Sequence, residues 1–525
     1  MKIKYIAILL LALGFVACEE DDSGMMEEAV VELTAGSANF SNYVAVGASF
    51  TAGFSDGALF INAQENSFPN ILSQQFAALG AGDFSQPLMN DNIGGLLLGG
   101  QMIQEPRLYF NGSGPVRLDA MPTTEVSNVI AGPYNNMGVP GAKSFHFVAN
   151  GYGNVSGVPV GLANPYYARM ASSPAASIIE DAASQAPTFF TLSEIGGNDV
   201  LAFATSGGSG VDQTGNLDPT TYGPNDITDP NVFGSVFTQL VGALSANGAN
   251  GVVTNVPYVT SLPYFTTVPY NPLDPENPDF AAQIAILNAT FAPLNQAFDF
   301  LGVPERSIVF SETEPSPVLI FDEELPNIQA QLFQVLQAGG LDPLTAQLLS
   351  TQYAQSRQAT PEDLLVLPSS TIIAELNEDY FNTLVALGVP PATAGQLSVN
   401  GITYPLQDQW VLTNTETSAV ITATNAYNSI IESTAASSNL ALVDLQGILD
   451  QASTTGITFD DFTMTTDLVV GGLVSLDGIH LTARGYALMA NKFLEAIDAT
   501  YGSNFLEAGQ RANADNYPMS YPPEL

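Results

Sequence analysis

Two hydrophobic periods take turns along this chain. Residues 42–47 (NYVAVG) form a short β-prone run that stops at a glycine. Residues 67–79 (SFPNILSQQFAAL) then carry apolar side chains at helical spacing, with Pro69 tolerated in the first turn. The alternation returns downstream. A helical pattern over 175–183 leads to a strand-like run at 188–192, one over 232–246 to 251–255, and one over 419–433 to 440–444; a last helix is expected at 483–497. Strands that alternate with helices predict a parallel sheet covered on both faces, a three-layer α/β/α fold.

Two stretches break this rhythm. Residues 212–229 are polar and turn-rich, with four Asp and two Asn. Their spacing fits no EF-hand, so the segment reads as a solvated loop, with a calcium loop as the alternative. Residues 266–406 are proline-rich turns and amphipathic helices such as 325–338 and 344–354. They read as a mostly helical, cap-like insertion beside the sheet; a side domain away from any active site is the alternative. The Gly-, Asn- and Pro-rich stretch up to about residue 135 contains two apolar runs, 94–100 and 108–110, suited to lining a groove.

Composition narrows the function. A hydrophobic fraction of 46% over 525 residues supports a real core. Eleven Lys plus Arg against 52 Asp plus Glu give a net charge of −41, which repels phosphate backbones and anionic headgroups. No nucleic-acid partner is expected. Lys2 and Lys4 precede an apolar run at 6–17, too short to span a bilayer of roughly 30 Å, and Cys18 follows at once. Cys18 is the one cysteine, so no disulfide can form within the chain. Phe15-Val16-Ala17-Cys18 resembles a bacterial lipobox, and the acidic run Glu19-Glu20-Asp21-Asp22 resembles the surface-export signals of Bacteroidetes-type lipoproteins. That resemblance implies an exported outer-membrane or cell-surface protein, held to the membrane through a lipidated Cys18.

The two histidines, His146 and His480, leave too few ligands for a His- or Cys-rich zinc site. In Asp477-Gly478-Ile479-His480 the spacing can bring a carboxylate to the ring Nδ1, as fixing the tautomer of a general base requires; a structural histidine is the alternative. Ser49 lies just past the first strand in Gly47-Ala48-Ser49-Phe50-Thr51-Ala52-Gly53, at the strand edge where open parallel sheets bind ligands, with an ordinary turn serine as the alternative. Thr51 rules out a GxSxG elbow. Gly141, in a glycine-bearing turn, and Asn198, after the run at 188–192, are candidate donors to an oxyanion. His146, between two phenylalanines, reads as a structural histidine, with a substrate contact as the alternative; Asp199 reads as a loop tie.

GASFTAG, NMGVPGA, GGND and DGIH, in this order, resemble blocks I, II, III and V of the SGNH (GDSL-like) serine hydrolases. The resemblance runs from residue 42 to residue 480 and implies a flavodoxin-like α/β core with Ser49 as nucleophile. It further implies an oxyanion hole of the Ser49 and Gly141 N–H groups and the Asn198 amide, with His480 as base and Asp477 orienting it. Asn255-Val256-Pro257 is also similar to a stretch many members carry. Ala48 departs from the family, whose aspartate there supports the nucleophile loop. The implied activity is ester hydrolysis without metal or cofactor, on a lipid-like substrate suited to the Leu-, Phe- and Ile-rich insertion. A carbohydrate O-deacetylase and a non-catalytic lipid- or polymer-binding lipoprotein are the alternatives. The expected organisation is a signal peptide at 1–17, an acidic tether at 18–37, a core at 38–265 and 407–512 around the insertion at 266–406, and a C-terminal arm at 513–525.

Overall fold

The computed structural model describes residues 31–130 and 132–524. The expected signal peptide and Cys18 lie outside the described residues. Among those residues no helix is long and apolar enough to cross a membrane.

Five strands build the central sheet: β1 (Tyr43–Gly47), β2 (Asn136–Gly138), β3 (Phe189–Ser193), β4 (Asn250–Thr254) and β5 (Ala441–Val443). Their order is β2-β1-β3-β4-β5 and every pairing is parallel, the order of a flavodoxin-like sheet. The strands alternate their side chains between two cores. Val44, Val46, Phe190, Leu192 and Val253 pack with the helices Pro230–Ser245 and Asn414–Ser438. Tyr43, Ala45, Phe189, Val252 and Ala441 pack on the other face with Phe68–Ala77 and Ala483–Tyr501. Each large side chain so buried contributes about 1.5–3 kcal/mol, and both faces are covered.

Hydrophobic periodicity does not mark β2, which is three residues long and contains Asn136 and Gly138. Its glycine explains the choice. A Cβ on Gly138 would lie 2.2 Å from the Ala52 nitrogen, so only glycine lets the segment after β1 rest on this strand. Gly47 pairs with both Gly138 and Ser193, so β1, β2 and β3 end level and release their loops at one rim.

The insertion has a core of its own running from Val268 to Val411, with Phe280, Phe291, Leu319, Leu332 and Tyr353 at its centre. It is mostly helical: Pro278–Leu301, Gln329–Ala338, Pro343–Gln352, Glu378–Ala386 and Pro391–Leu397. Trp410 packs against both this core and the sheet's. Just before the insertion the Tyr264 N–H donates to the Gly478 carbonyl at 3.0 Å, and within it Leu367 packs against Gly478. The insertion therefore touches the turn that carries His480.

Both ends of the described chain are tied down. Thr34 N–H donates to Asn504 Oδ1 at 2.7 Å, Asn504 Nδ2 to the Glu32 carbonyl at 2.9 Å, and Ser37 N–H to the Tyr501 carbonyl at 2.8 Å. Residues 32, 34 and 37, within the expected tether, are thus hydrogen-bonded to the end of the final helix and the residues just after it. In the arm, the Pro522 carbonyl accepts from the buried Arg107 at 2.6 Å, and the Tyr521 ring packs on Phe60. Residues 212–229 form a loop whose carboxylates are used by its own turns: Asp226 accepts from Val211 and Gly223, Asp229 from Gly215 and Asn231, Asp212 from Thr214 and Asp218 from Thr220.

Candidate active site

β1 delivers Ser49 to the first position of a one-turn helix, Ser49–Ala52, closed by Gly53 at φ 83°. At that position the Ser49 N–H lies outside the helical ladder and is free to donate elsewhere. Ser49 is only 8% exposed. Two neighbouring strands grip the helix. Asn136 of β2 donates its Nδ2 to the Thr51 carbonyl at 2.9 Å. From the end of β3, Glu194 accepts the Thr51 N–H at 3.0 Å and the Thr51 hydroxyl at 3.3 Å. Glu194 reaches inward from a left-handed backbone, φ 48°, where a non-glycine residue is strained.

This glutamate is a site residue that the sequence does not announce. From just after β3, Glu194 supplies the carboxyl that holds the helix turn bearing Ser49. Burial pushes its carboxyl up to about 7, against the opposing pull of the Thr51 and Ala48 donors.

The rim on either side of Ser49 carries the other candidates. Gly141 leaves β2 with φ 78° and stands exposed, with open space where a side chain would be. Asn198 is in the first turn of the helix Gly197–Thr205 after β3. One of its two amide hydrogens goes to the Ala142 carbonyl at 3.0 Å, which ties the second donor loop to the third and leaves the other hydrogen available. Ser49 and Asn198 follow β1 and β3, which flank the topological switch point where open α/β sheets hold their ligands.

His480 arrives on a tight turn. Ser475 N–H donates to the His480 carbonyl at 2.7 Å, and Thr482 then caps the helix Ala483–Tyr501 by accepting the Gly485 N–H. Asp477 Oδ2 lies 2.7 Å from His480 Nδ1 and accepts the Gly57 N–H at 2.8 Å, while Oδ1 accepts the N–H groups of Ile479 and His480, both at 2.9 Å. Burial works against the Asp477 anion, yet His480 and these donors outweigh it and hold the carboxyl well below its usual range. An anion in this position makes the ring donate from Nδ1, so Nε2 keeps its lone pair.

The Ser49 and His480 segments form one body. The Ser55 hydroxyl donates to the Leu481 carbonyl at 2.9 Å, Asp56 N–H to the Ser475 hydroxyl at 3.0 Å, and Leu476 N–H to Asp56 Oδ1 at 3.0 Å. The rings of Phe50 and Phe54 lie 5.9 Å and 4.5 Å from that of His480. Phe54 also faces Tyr166 and belongs to an apolar cluster with Leu59, Leu96 and Leu98, so the run at 94–100 contributes to a wall that begins on His480. A small apolar cavity of about 50 Å³ opens beside Phe50, between Leu262, Ile479 and Leu481. The roomier hollow, about 470 Å³, lies at the ends of β4 and β5 around Asn255 and Asp444 and contains none of the residues above.

The second histidine stands apart from this constellation. His146 stacks on Tyr152 at 4.3 Å and accepts the Lys143 N–H on Nδ1 at 3.0 Å. Burial, with Lys143 beside it, pushes it down to about 3. Asp199 is fully buried and accepts both the N–H and the hydroxyl of Ser144, at 2.8 Å and 2.6 Å. Both residues brace the loop that presents Gly141.

Compared with known proteins, the chain matches no family model, no curated protein and no solved structure.

Proposed function

We propose that the chain is a serine ester hydrolase of the SGNH type, with Ser49 as nucleophile, His480 as base and Asp477 holding that base. One observation carries the reading: an Asp477–His480 pair at 2.7 Å, packed through Phe50 and Phe54 against the segment that bears Ser49. His480 Nε2 takes the Ser49 proton as Oγ bonds to the ester carbonyl carbon. The oxyanion that develops meets the N–H groups of Ser49 and Gly141 and the free hydrogen of Asn198, donors of the kind worth about 3 kcal/mol each. The carbon–alkoxide bond then breaks, and the alcohol leaves with the proton from His480. Water repeats the cycle: its proton passes to Nε2, its oxygen bonds to the acyl carbon, and Ser49 is released with the acid.

The Phe54–Tyr166–Leu98 wall favours esters with an apolar acyl chain. The N-terminal resemblance adds an exported lipoprotein anchored through Cys18. A fluorophosphonate probe tests the chemistry: it labels the wild type, labelling is lost in Ser49→Ala and strongly reduced in His480→Ala, and an unlabelled wild type overturns the hydrolase reading in favour of lipid or polymer binding. The p-nitrophenyl ester series tests the substrate, since hydrolysis confined to acetate removes the apolar preference and points to deacetylation.

A further inference from the structure

Far along the chain from the site residues, three carboxylates converge from separate segments. Glu323 comes from the insertion, Asp408 from the segment returning from it, and Glu416 from the first turn of the core helix Asn414–Ser438. One carboxylate oxygen of each lies within 4.8 Å of the others. Among the described residues no ion pair reaches any of the three.

Two of these groups lack partners that burial demands. Glu416 is only 7% exposed; its Oε2 accepts the Thr413 N–H and hydroxyl at 2.7 Å and 2.9 Å, whereas its Oε1 is buried with no donor. Asp408 Oδ1 is likewise buried without one. A desolvated carboxylate oxygen with no donor costs several kcal/mol unless a proton or a cation completes it. Two glycines let the backbone close directly on the residues of the cluster. A Cβ on Gly208, φ 79°, would stand 1.8 Å from Glu416 Oε1, and one on Gly207, φ 66°, 1.8 Å from the Asp408 carbonyl oxygen. The contrast with residues 212–229 is direct, because there the carboxylates are satisfied by turn N–H groups.

We propose that Glu323, Asp408 and Glu416 bind one calcium ion that fastens the helical insertion to the core. Calcium takes oxygen ligands at about 2.3–2.6 Å, so two oxygens on opposite sides of one ion stand about 5 Å apart, which admits the spacing found here. Magnesium demands near-ideal octahedral geometry at about 2.1 Å and gives up its water reluctantly, so a cage of protein oxygens suits calcium better. Three carboxylates leave the remaining positions to backbone carbonyls and water, and the ion completes both orphaned oxygens at once.

Titration calorimetry on the chelator-treated full chain with calcium chloride gives the primary test. One calcium per chain is expected, with a saturable rise of about 2–5 °C in the unfolding midpoint. Glu323→Gln, a change at an exposed side chain, and Asp408→Asn each weaken calcium binding tenfold or more. In chelator, Asp408→Asn unfolds no lower than the wild type because a repulsive charge is gone, which separates loss of a ligand from loss of fold. Asp212→Asn leaves calcium binding unchanged. The proposal is overturned by a wild type that neither binds calcium nor shifts at about 5 mM, by wild-type affinity in both cluster variants, by loss of binding in Asp212→Asn, or by magnesium binding as tightly as calcium.

Discussion

The Ser49 side and the His480 side of the candidate site are each fixed by one carboxyl largely withdrawn from solvent, and the two carboxyls have opposite protonation tendencies. Asp477 receives three backbone N–H groups, the Ser475 hydroxyl and the His480 imidazole, enough to overcome burial and keep it an anion. Glu194 receives the Thr51 N–H and hydroxyl but faces no cation, so burial prevails and it holds its proton to about 7. The difference lies in the number and charge of the donors each carboxyl sets against its burial. On the base side the anion orients a proton acceptor. On the nucleophile side the acid only has to hold a helix turn in place.

The largest test of that contrast is Asp477→Asn. The amide cannot accept from the ring while donating to it, so it favours the tautomer with Nδ1 unprotonated and leaves Nε2 occupied. A fall in kcat of about 10⁴-fold on p-nitrophenyl butyrate is expected, the size found when a triad aspartate is made neutral in serine proteases. Activity within tenfold of the wild type would remove Asp477 from the mechanism.

Glu194 is tested through stability and pH. Glu194→Ala strands the Thr51 N–H beneath the nucleophile, with an expected loss of about 1–3 kcal/mol by denaturant midpoint; Glu194→Gln keeps an acceptor and loses less. The acid is raised from 4.5 to about 7 in the folded chain. The folded state therefore binds more protons between those values, and Glu194 lowers stability as pH rises through that window, by up to about 3 kcal/mol. Asp477 has the opposite sign: its contribution is complete above the unfolded aspartate value of 3.8 and is lost as pH falls toward its depressed folded value. Unfolding midpoints at pH 5 and pH 8 check this. The downward slope is shallower in Glu194→Gln than in the wild type, and equal slopes would assign the slope to other buried acids such as Asp56.

The same division explains what could be read from the residues alone. Strands β1, β3, β4 and β5 are apolar runs bounded by glycine or polar residues, so periodicity marks them; β2 is set by Gly138 making room for Ala52, a tertiary demand that leaves no periodic trace. Asp477 and His480 are three residues apart, so their pairing is a local property that spacing reveals. Glu194 meets Thr51 across 143 residues and from a left-handed backbone, and no local pattern carries that. Its one signal is the conjunction of Ala48, where the resemblance calls for an acid, with an acid at the end of an apolar strand. The Glu323–Asp408–Glu416 cluster is hidden for the same reason, since two of its members join only when the insertion folds back on the core.

The smallest expected effect concerns the two histidines. His480 has a carboxylate on Nδ1 and aromatic rings beside it at the rim, whereas His146 has a backbone N–H on Nδ1 and a tyrosine against its face. A ring that accepts at Nδ1 and is pushed down to about 3 stays neutral around pH 7, so it is a poor base toward a substrate proton. His146→Phe preserves the stack on Tyr152 and removes only the acceptor of the Lys143 N–H. The expected cost is about 1 kcal/mol of stability, with kcat/KM within twofold of the wild type and a superimposable pH–rate profile. A tenfold fall in kcat/KM in a variant of near-normal stability would give His146 a part in the chemistry. The loop bearing Gly141 would then have to be counted as a second source of proton transfer rather than as a mount for one oxyanion donor.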